Sequence, residues 1–573
     1  MSCLLFSSDD GDVKPTLYRP FEACQRHAST LNSCQNCSKI IKLQDKIAET
    51  KQVLEDMLKR HHEMTTHAND VHDPFASLLP PEVTARIFQY YVFDSDFADS
   101  RPEWRKAPLR LGAVCQHWRQ IAWTTPALWS QTSFYVQGHS KPDYHHFARD
   151  WLARSGELPL SISISAVYGP RSWEVRSQTE AIIRSLIDIL NLHSRRWHTL
   201  EIGLDVLMSQ RLGGNLHPAP ALQELRISMP VYPVQLTGDQ GAGLDLTSAN
   251  PKHISLYLHF PLQILKIGWN SLVKADLQGY CIDEYLDFLR RTPALIHVRF
   301  TDIRPHPIGL SQPVVHQNLQ NMSIFQGISN DGIWWSRLLQ GMTLPALERM
   351  TYNAFYGSVP ILAIRSMVHR SGCALQELTL RNVIATEDNL TELLKVTPAL
   401  RILELEWSRE SAWSPYRLLR HLSRTSIFDP SHSGLFLPEL QDFRLNYQET
   451  AYLEEVADLF GPFIVPPGMR RRPLQNIKVI FDAEHRNFNP ELVPFEGDYM
   501  DWELVLRFLA VIQAGCSVVI RCIDGEEVDE HTVGVIDLLE ESVKQLDIPL
   551  SVNLNLGYST VAQRPPSDKL LPS

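Results

Sequence analysis

The chain has little cysteine and no long apolar run. Nine cysteines in 573 residues fall far below the density of a disulfide-stapled domain, so that class of protein is excluded. The best candidate for a membrane span is Phe508–Ile520, 13 residues interrupted by Gln513. A membrane span needs about 20 apolar residues. We therefore expect a buried core segment there and no membrane contact.

An excess of positive charge is also missing. Lysine and arginine number 54 against 65 aspartates and glutamates, which leaves a net charge of −11. Such a surface repels phosphate backbones, so we expect no nucleic-acid partner. The run Arg470–Arg472 is a local basic patch, but a short charge run of this kind is typical of a solvated loop.

Targeting and catalytic signals are absent as well. Met1–Asp12 is too short in its apolar part and too acidic for a secretory signal, which predicts a cytoplasmic or nuclear protein. Gly238–Gly243 spaces its glycines like a phosphate loop, but Leu244 stands where the loop needs a lysine. The chain has no zinc-protease, nucleophile-elbow or kinase-loop motif. Five cysteines lie in apolar contexts typical of inert core thiols: Cys115, Cys281, Cys373, Cys516 and Cys522. We expect no enzyme and no cofactor.

Residues 1–38 lack hydrophobic periodicity and are predicted to be a mobile arm. They hold two ligand pairs, Cys24 with His27 and Cys34 with Cys37. Two such pairs could complete a tetrahedral zinc shell. The six residues between the pairs are few compared with the usual 12 to 20 or so. We therefore assign no metal ligand, and zinc binding stays an alternative.

Residues 39–68 predict a helix with a short coiled-coil pattern. One mainly apolar stripe recurs at alternating steps of three and four over about three and a half heptads, with Thr50 and His61 as its polar members: Ile40, Leu43, Ile47, Thr50, Leu54, Met57, His61 and Met64. Lysine, glutamate and glutamine fill much of the other faces. Two roles stay open, weak self-association of two copies and packing against the same chain.

Residues 75–130 carry the strongest signal. Pro80 or Pro81 can begin a helix, because the first helical turn needs no amide hydrogen. Four apolar residues then share one helical face: Val83, Ile87, Phe88 and Tyr91. After a polar insertion, 94–106, a second helix is predicted over Leu109–Ala122. Its apolar face comprises Leu111, Val114, Cys115, Trp118, Ile121 and Ala122.

The segment LPPEVTARIF, followed by LRLGAVCQHWRQIAWTTPALW, resembles an F-box. The resemblance is to the large family of F-box proteins in mushroom-forming fungi, and it continues through DWLARSGELPLSISI and HSRRWHTLEI. It implies a three-helix domain that binds the Skp-type adaptor of a cullin-based ubiquitin ligase. The implied adaptor-binding residues are Leu79, Pro80, Val83, Ile87, Phe88, Leu111, Val114, Cys115 and Trp118. Two features depart from the family: Thr84 replaces a leucine, which removes apolar area, and the insertion 94–106 lengthens the motif.

Beyond residue 190 a short frame recurs, apolar-x-x-apolar-x-apolar. Pro-Ala-Leu opens four of the frames, at Leu222, Leu295, Leu347 and Leu400. Their spacings are close to multiples of about 25 residues, which is within the range of leucine-rich repeats. The asparagine or cysteine that should follow each frame occurs once, as Asn270. We therefore predict an α/β fold in which an irregular leucine-rich-repeat-like solenoid spans 131–557 and a tail spans 558–573.

These features predict a substrate-recognition subunit of an SCF-type ubiquitin ligase. Its partners would be the Skp-type adaptor, cullin through that adaptor, and an unidentified target protein held by the solenoid. The alternative is a non-catalytic interaction scaffold whose F-box is vestigial.

Overall fold

The chain forms two compact units in a computed structural model, Met1–Leu128 and Trp129–Ser573. The structure describes these residues: 35–72, 79–93, 107–137, 144–167, 173–228, 243–257, 260–305, 312–327, 332–355, 358–384, 386–407, 414–432, 435–447, 452–482, 500–523 and 535–546. The predicted tail 558–573 lies outside them, as does all of the predicted arm before Gln35.

The described residues of the first unit are mainly helical. Its four α-helices are α1 (Gln35–His72), α2 (Pro81–Phe93), α3 (Ala107–Val114) and α4 (Gln116–Thr124). Helix α1 extends beyond the predicted bounds 39–68 at both ends. It takes in Cys37, which the sequence had placed in the arm.

The second unit is a mixed α/β structure, so the predicted fold class is confirmed at this level. Its described helices are α5 (Tyr144–Arg154), α6 (Trp173–Leu192), α7 (Val206–Ser209), α8 (Ile282–Arg291), α9 (Ile333–Gln340), α10 (Ile361–Ser371), α11 (Glu387–Lys395), α12 (Tyr416–Arg424), α13 (Leu453–Ala457), α14 (Trp502–Gln513) and α15 (Leu538–Gln545). Its strands are β1 (Gln131–Gln137), β2 (Leu160–Val167), β3 (Trp197–Gly203), β4 (Glu224–Ser228), β5 (Leu244–Asp245), β6 (His253–Tyr257), β7 (Leu265–Lys266), β8 (Lys274–Tyr280), β9 (His297–Ile303), β10 (Val314–Val315), β11 (Asn321–Gln326), β12 (Met342–Thr343), β13 (Arg349–Ala354), β14 (Glu377–Val383), β15 (Ile402–Trp407), β16 (Ile427–Phe428), β17 (Asp442–Tyr447), β18 (Arg470–Arg471), β19 (Asn476–Asp482), β20 (Ser517–Ile523) and β21 (Val535–Asp537).

One large sheet dominates this unit. Among the described residues it has 15 strands in the order β1-β2-β3-β4-β6-β8-β9-β11-β13-β14-β15-β17-β19-β20-β21, which follows the order along the chain. Its neighbouring strands are parallel except for β20 and β21, which are antiparallel. Parallel neighbours need a crossover connection, and helices occupy many of these connections.

The recurring frame explains which face of each strand is buried. Its last two apolar residues lie two apart, so both point to the same side of the sheet. Leu225 with Ile227 and Leu403 with Leu405 are fully buried, and they belong to one continuous core. The residues between them point to the other face, which is polar and partly exposed. The apolar period therefore decides which side faces the helices.

Backbone carbonyls join successive strands where each strand begins. The carbonyl of Gln223 accepts hydrogen bonds from the N–H groups of both Lys252 and His253, at 2.8 and 3.1 Å. The same two-donor arrangement recurs at Lys252, Val273, Ile296, Gln320, Glu348, Gln376, Arg401 and Gln441. These main-chain bonds connect each strand to the next at the end where the strands begin.

The run Arg470–Arg472 differs from the solvated loop expected from the sequence. Arg472 is 2% exposed, and the Arg471 guanidinium stacks on the Phe460 ring at 4.3 Å. Buried backbone carbonyls satisfy the Arg472 side chain, which a charge count along the chain cannot detect.

Candidate functional site

Helix α2 begins as the proline pattern predicts. The carbonyl of Pro80 accepts hydrogen bonds from the N–H groups of Val83 and Thr84, at 3.0 and 3.1 Å. Pro81 occupies the first helical position, where its missing amide hydrogen costs nothing. Glu82 lies in the first turn, near the positive end of the helix dipole. These features fix where the helix starts and therefore which side chains share each of its faces.

The single helix predicted over Leu109–Ala122 is wrong. The chain forms α3 and α4 instead, and Cys115 between them has an extended backbone (φ −151°, ψ 174°). Its Sγ accepts a hydrogen bond from the N–H of Trp118 at 3.3 Å. A cysteine in this role replaces the serine or aspartate that usually caps a helix. The apolar spacing continues across the break, which is why the sequence reads as one helix.

Close packing holds α3 against α4. Arg119 donates from Nε to the carbonyl of Gly112 at 2.7 Å. A Cβ atom built at Gly112 would overlap the ring of Trp123. Glycine at this position therefore lets the Trp123 ring lie directly on α3.

An apolar groove lies where helices α2, α3 and α4 meet. Its volume is about 390 Å³, and its lining residues are Ile87, Phe88, Tyr91, Arg110, Leu111, Val114 and Trp118. Phe88 is 1% exposed and packs against Trp118, with 4.9 Å between the ring centroids. Phe88 and Leu111 thus form the floor. Ile87 and Val114 rise beside it and are 38% and 55% exposed.

The nine predicted adaptor-binding residues fall into two groups. Five of them line the groove: Ile87, Phe88, Leu111, Val114 and Trp118. The other four do not line it. Pro80 and Val83 are exposed on α2 or just before it, whereas Leu79 and Cys115 are half-buried.

Thr84 does not lie on the exposed face. It is fully buried, together with Phe88 and Val92 along one side of α2. Its hydroxyl donates to the Pro80 carbonyl at 3.4 Å. The apolar area that a leucine would add at this position therefore belongs to the interior and not to the exposed face. The helical period of α2 turns position 84 toward the interior of the three-helix unit.

Two groove residues were absent from the predicted set. Tyr91 follows Ile87 by four residues and extends the exposed apolar edge of α2. Arg110 precedes Val114 by four residues and places a cation at the rim. Both follow from i, i+4 spacing once the helices are known. The sequence signal for Arg110 is only this spacing, because a charged residue does not belong to an apolar stripe.

A polar cluster on the large sheet was also missed. His253 contacts Glu224 through Nδ1 at 3.0 Å and Asp276 through Nε2 at 3.1 Å. The Ser255 hydroxyl lies 3.3 Å from the same Nε2. Burial alone would raise the pKa of Asp276, but the hydrogen bond from His253 and the nearby positive charges lower it overall.

The side chains of this cluster contact one another as those of a serine–histidine–carboxylate catalytic triad do. The serine, however, is not accessible to a substrate. Ser255 is buried. The flanking strands β4 and β8 pair with its own strand β6 on both sides, which engages the backbone N–H groups that could stabilise an oxyanion. Asp276 contacts the same Nε2 of His253 that would have to accept the proton of Ser255. The arrangement stabilises three adjacent strands and does not suit acyl transfer.

Burial affects three of the described thiols, whereas Cys115 is half-buried and caps α4. Burial raises the pKa of Cys281 and of Cys373, and it raises the pKa of Cys516 to about 12. Cys522 has no described side chain. Within the described ranges, no group of three or more histidine, cysteine, aspartate or glutamate side chains could hold a metal ion. Cys24, His27 and Cys34 lie outside those ranges, as does the side chain of Cys37.

Comparison with known proteins identifies no relative of this chain. No protein-family model matches the chain, and no curated protein matches it. In the described part of the chain, no helix is both long and apolar enough to cross a membrane.

Proposed function

We propose that this protein is the substrate-recognition subunit of an SCF-type cullin ubiquitin ligase. The three-helix unit would bind the Skp-type adaptor, and the large sheet would hold a target protein. The observation that carries the proposal is the apolar groove between α2, α3 and α4, because five of the nine F-box-like positions line it.

The groove suits the apolar side chains of a partner helix. Val83, Ile87, Tyr91 and Val114 are large apolar residues that the unit leaves exposed. Burying apolar area stabilises a complex by about 25 cal/mol per Å². The floor residues Phe88 and Leu111 fix the shape of the groove, while the exposed residues supply the contact area.

The second unit would be the irregular leucine-rich-repeat-like solenoid. Three features support this interpretation: strand order follows chain order, helices occupy many of the crossovers, and the carbonyl ladder repeats from strand to strand. In a solenoid each repeat contacts only the neighbouring repeats, and the stacked repeats leave one long face for binding.

The polar face of the sheet would be the target-binding surface. One row of it runs across nine neighbouring strands in register: Ser161, Thr199, Glu224, His253, Lys274, His297, Asn321, Arg349 and Glu377. This row offers hydrogen-bond donors and acceptors, and it includes both positively and negatively charged side chains. Binding there would raise the effective concentration of a target near the ubiquitin-charged enzyme of the assembly. The chain itself would break no bond.

The test is a pull-down of purified Skp-type adaptor with the full chain. The variant is Ile87→Glu combined with Val114→Glu, since both side chains are exposed and their loss should not unfold the unit. Two carboxylates would have to be desolvated against the apolar surface of the adaptor, so adaptor recovery should fall about tenfold or more. Phe88→Ala is unsuitable, because removing a buried ring destabilises the unit itself.

The matched control is Leu362→Glu. Leu362 is an exposed apolar residue on α10 of the second unit, and its substitution should leave recovery unchanged. Equal recovery of adaptor by the wild type and by the groove variant would contradict the proposal. Failure of the wild type to recover the adaptor or cullin would favour the scaffold with a vestigial F-box.

A further inference from the structure

Helix α1 presents an apolar face of its own, separate from the groove between α2, α3 and α4. We call its eight core positions the seam: Ile40, Leu43, Ile47, Thr50, Leu54, Met57, His61 and Met64. The side chains of Leu54 and Met57 are 54% and 65% exposed. A shallow groove of about 390 Å³ runs along the first half of the seam, lined by Leu43, Lys46, Ile47, Thr50, Lys51 and Leu54.

Thr50, a polar residue of the seam, does not prevent helix pairing. The Thr50 hydroxyl donates to the Lys46 carbonyl of its own helix at 2.7 Å, so it needs no outside partner. The seam repeats at alternating steps of three and four, which is the spacing that packs two helices side by side. Its surface therefore fits another helix better than a globular face.

Charge is segregated around this seam. The positions that flank it on either side are 39, 44, 46, 51, 53, 58, 60 and 65, and they hold three lysines and an arginine but no acid. The five acids of 39–65 all lie on the outer faces, at Asp45, Glu49, Glu55, Asp56 and Glu63. The structure places Lys46 and Lys51 at the rim of the seam groove.

This arrangement disfavours a second copy of the chain. In a parallel pair, each flanking residue faces the flanking residue five positions later on the other helix. Lys46 would therefore oppose Lys51 of the second copy, and the symmetry would repeat that repulsion. In an antiparallel pair, the flanking positions on one side of the seam face the same side of the seam on the other helix. Those positions again contain no acid. Neither arrangement provides an attractive pair.

An anionic membrane is also a poor occupant. Six basic and five acidic residues over 39–65 leave a net charge of only +1. Interfacial helices that bind anionic lipid are rich in lysine and arginine over the whole polar face. Here the outer face is mainly acidic, and Thr50 and His61 interrupt the apolar stripe.

We propose that the seam of α1 binds one amphipathic helix of another protein, with glutamate or aspartate at the positions that flank its own apolar stripe. Apolar contacts along the seam would supply most of the binding energy. The basic flanks at Lys39, Lys46, Lys51 and Arg60 would select the acidic partner. This binding site does not depend on the adaptor.

Two synthetic peptides of about four heptads test the proposal. Both carry isoleucine and leucine at the core positions. One has glutamate at every flanking position and the other has lysine, so each repels itself and stays available. Binding to the full chain is measured by fluorescence anisotropy. We expect the acidic peptide to bind at least about tenfold more tightly than the basic one, with a smaller difference at about 0.5 M salt.

Charge reversal at the seam supplies the decisive variant. Lys46→Glu with Lys51→Glu leaves two acidic and two basic residues on the flanks, so it should abolish the preference for the acidic peptide. Lys42→Glu with Lys59→Glu makes the same charge change on the outer face and should leave the preference unaltered. Four results would overturn the proposal: no binding of the acidic peptide, equal binding of both peptides, concentration-dependent dimerisation of the chain that persists with either peptide present, or binding to phosphatidylserine vesicles that Lys46→Glu with Lys51→Glu abolishes.

Discussion

The thiol of Cys115 accepts a hydrogen bond from the backbone N–H of Trp118 at 3.3 Å. This contact caps α4 at its first turn and separates it from α3. As a result, Val114 ends one helix and Trp118 lies in the first turn of the next, and both line the apolar groove. A continuous helix would place the two side chains on a single straight stripe with no concave surface.

Replacement of Cys115 tests the cap. Cys115→Ala removes the acceptor and should lower the free energy of unfolding of the helical unit by about 1 kcal/mol. Cys115→Ser restores an oxygen acceptor and should retain or exceed the wild-type stability. Urea unfolding followed by circular dichroism measures both. Equal destabilisation by the two substitutions would contradict a capping role and indicate that only the volume of the sulfur matters.

Gly112 should tolerate no side chain. Alanine is a better helix former than glycine by about 1 kcal/mol, but its Cβ would overlap the Trp123 ring. Overpacking of this kind costs about 1–3 kcal/mol, so Gly112→Ala should lower the melting temperature. The neighbouring Ala113 is exposed, and Ala113→Gly should cost only the propensity difference. A more stable Gly112→Ala variant would show that Trp123 can move away without loss.

Arg472 should be essential to the stability of the second unit. Its guanidinium donates to the carbonyls of Leu437 at 2.9 Å, Leu422 at 2.8 Å, Thr425 at 3.1 Å and Phe436 at 3.0 Å. Burial lowers its pKa to about 10, so the side chain remains a cation at neutral pH. The carbonyls around it take the place of a carboxylate partner.

Arg472→Met would leave those buried carbonyls without donors and should cost about 3–5 kcal/mol. Arg472→Lys should fall between the wild type and methionine, since an ammonium has three donors and no fork. The exposed neighbour Arg470 provides the control, and Arg470→Met should change the midpoint of urea unfolding little. Equal effects at positions 470 and 472 would contradict the role given to the buried guanidinium.

His421 should make stability depend on pH. Its ring packs against Phe436, with 4.4 Å between the ring centroids. Burial lowers its pKa below the ordinary 6.5, and the nearby charges of Lys395, Arg472 and Arg424 lower it further. The unfolded chain therefore binds this proton more readily than the folded chain. The contribution of neutral His421 to the free energy of unfolding is complete above about pH 6.5. It is lost as the pH falls from there through the lowered pKa.

Unfolding free energies at about pH 7.5 and 5.5 measure this slope. His421→Gln should reduce the loss of stability on acidification, whereas His146→Gln, at an exposed position of α5, should leave the wild-type slope. If the slope is unchanged in His421→Gln, the pH dependence arises elsewhere in the molecule.

Local periodicity made part of the fold predictable. Successive strand side chains point to opposite faces, so the apolar frame alone identifies Leu225 and Ile227 as core residues, and the structure buries both. The same reasoning explains why prolines 80 and 81 mark the start of α2. Five of the nine F-box-like positions also come together in one groove, because their spacing already follows a helical turn.

Other features depend on groups that are distant in the sequence. Thr84 is a polar residue in an apolar helix, and only the packing of α3 and α4 makes its position interior. Arg472 stands in a run of three arginines, yet its acceptors come from residues 35 to 50 positions earlier. Glu224, His253 and Asp276 meet because three strands align in register.

The sequence by itself determined the alternation of apolar and polar residues, and hence the class of the fold and the buried side of each strand. Tertiary structure decided which polar groups are buried, where a thiol ends a helix, and which apolar residues remain exposed. The physical reason is that periodicity is a property of neighbours along the chain. Burial and hydrogen-bond satisfaction are instead set by elements that fold against one another from a distance.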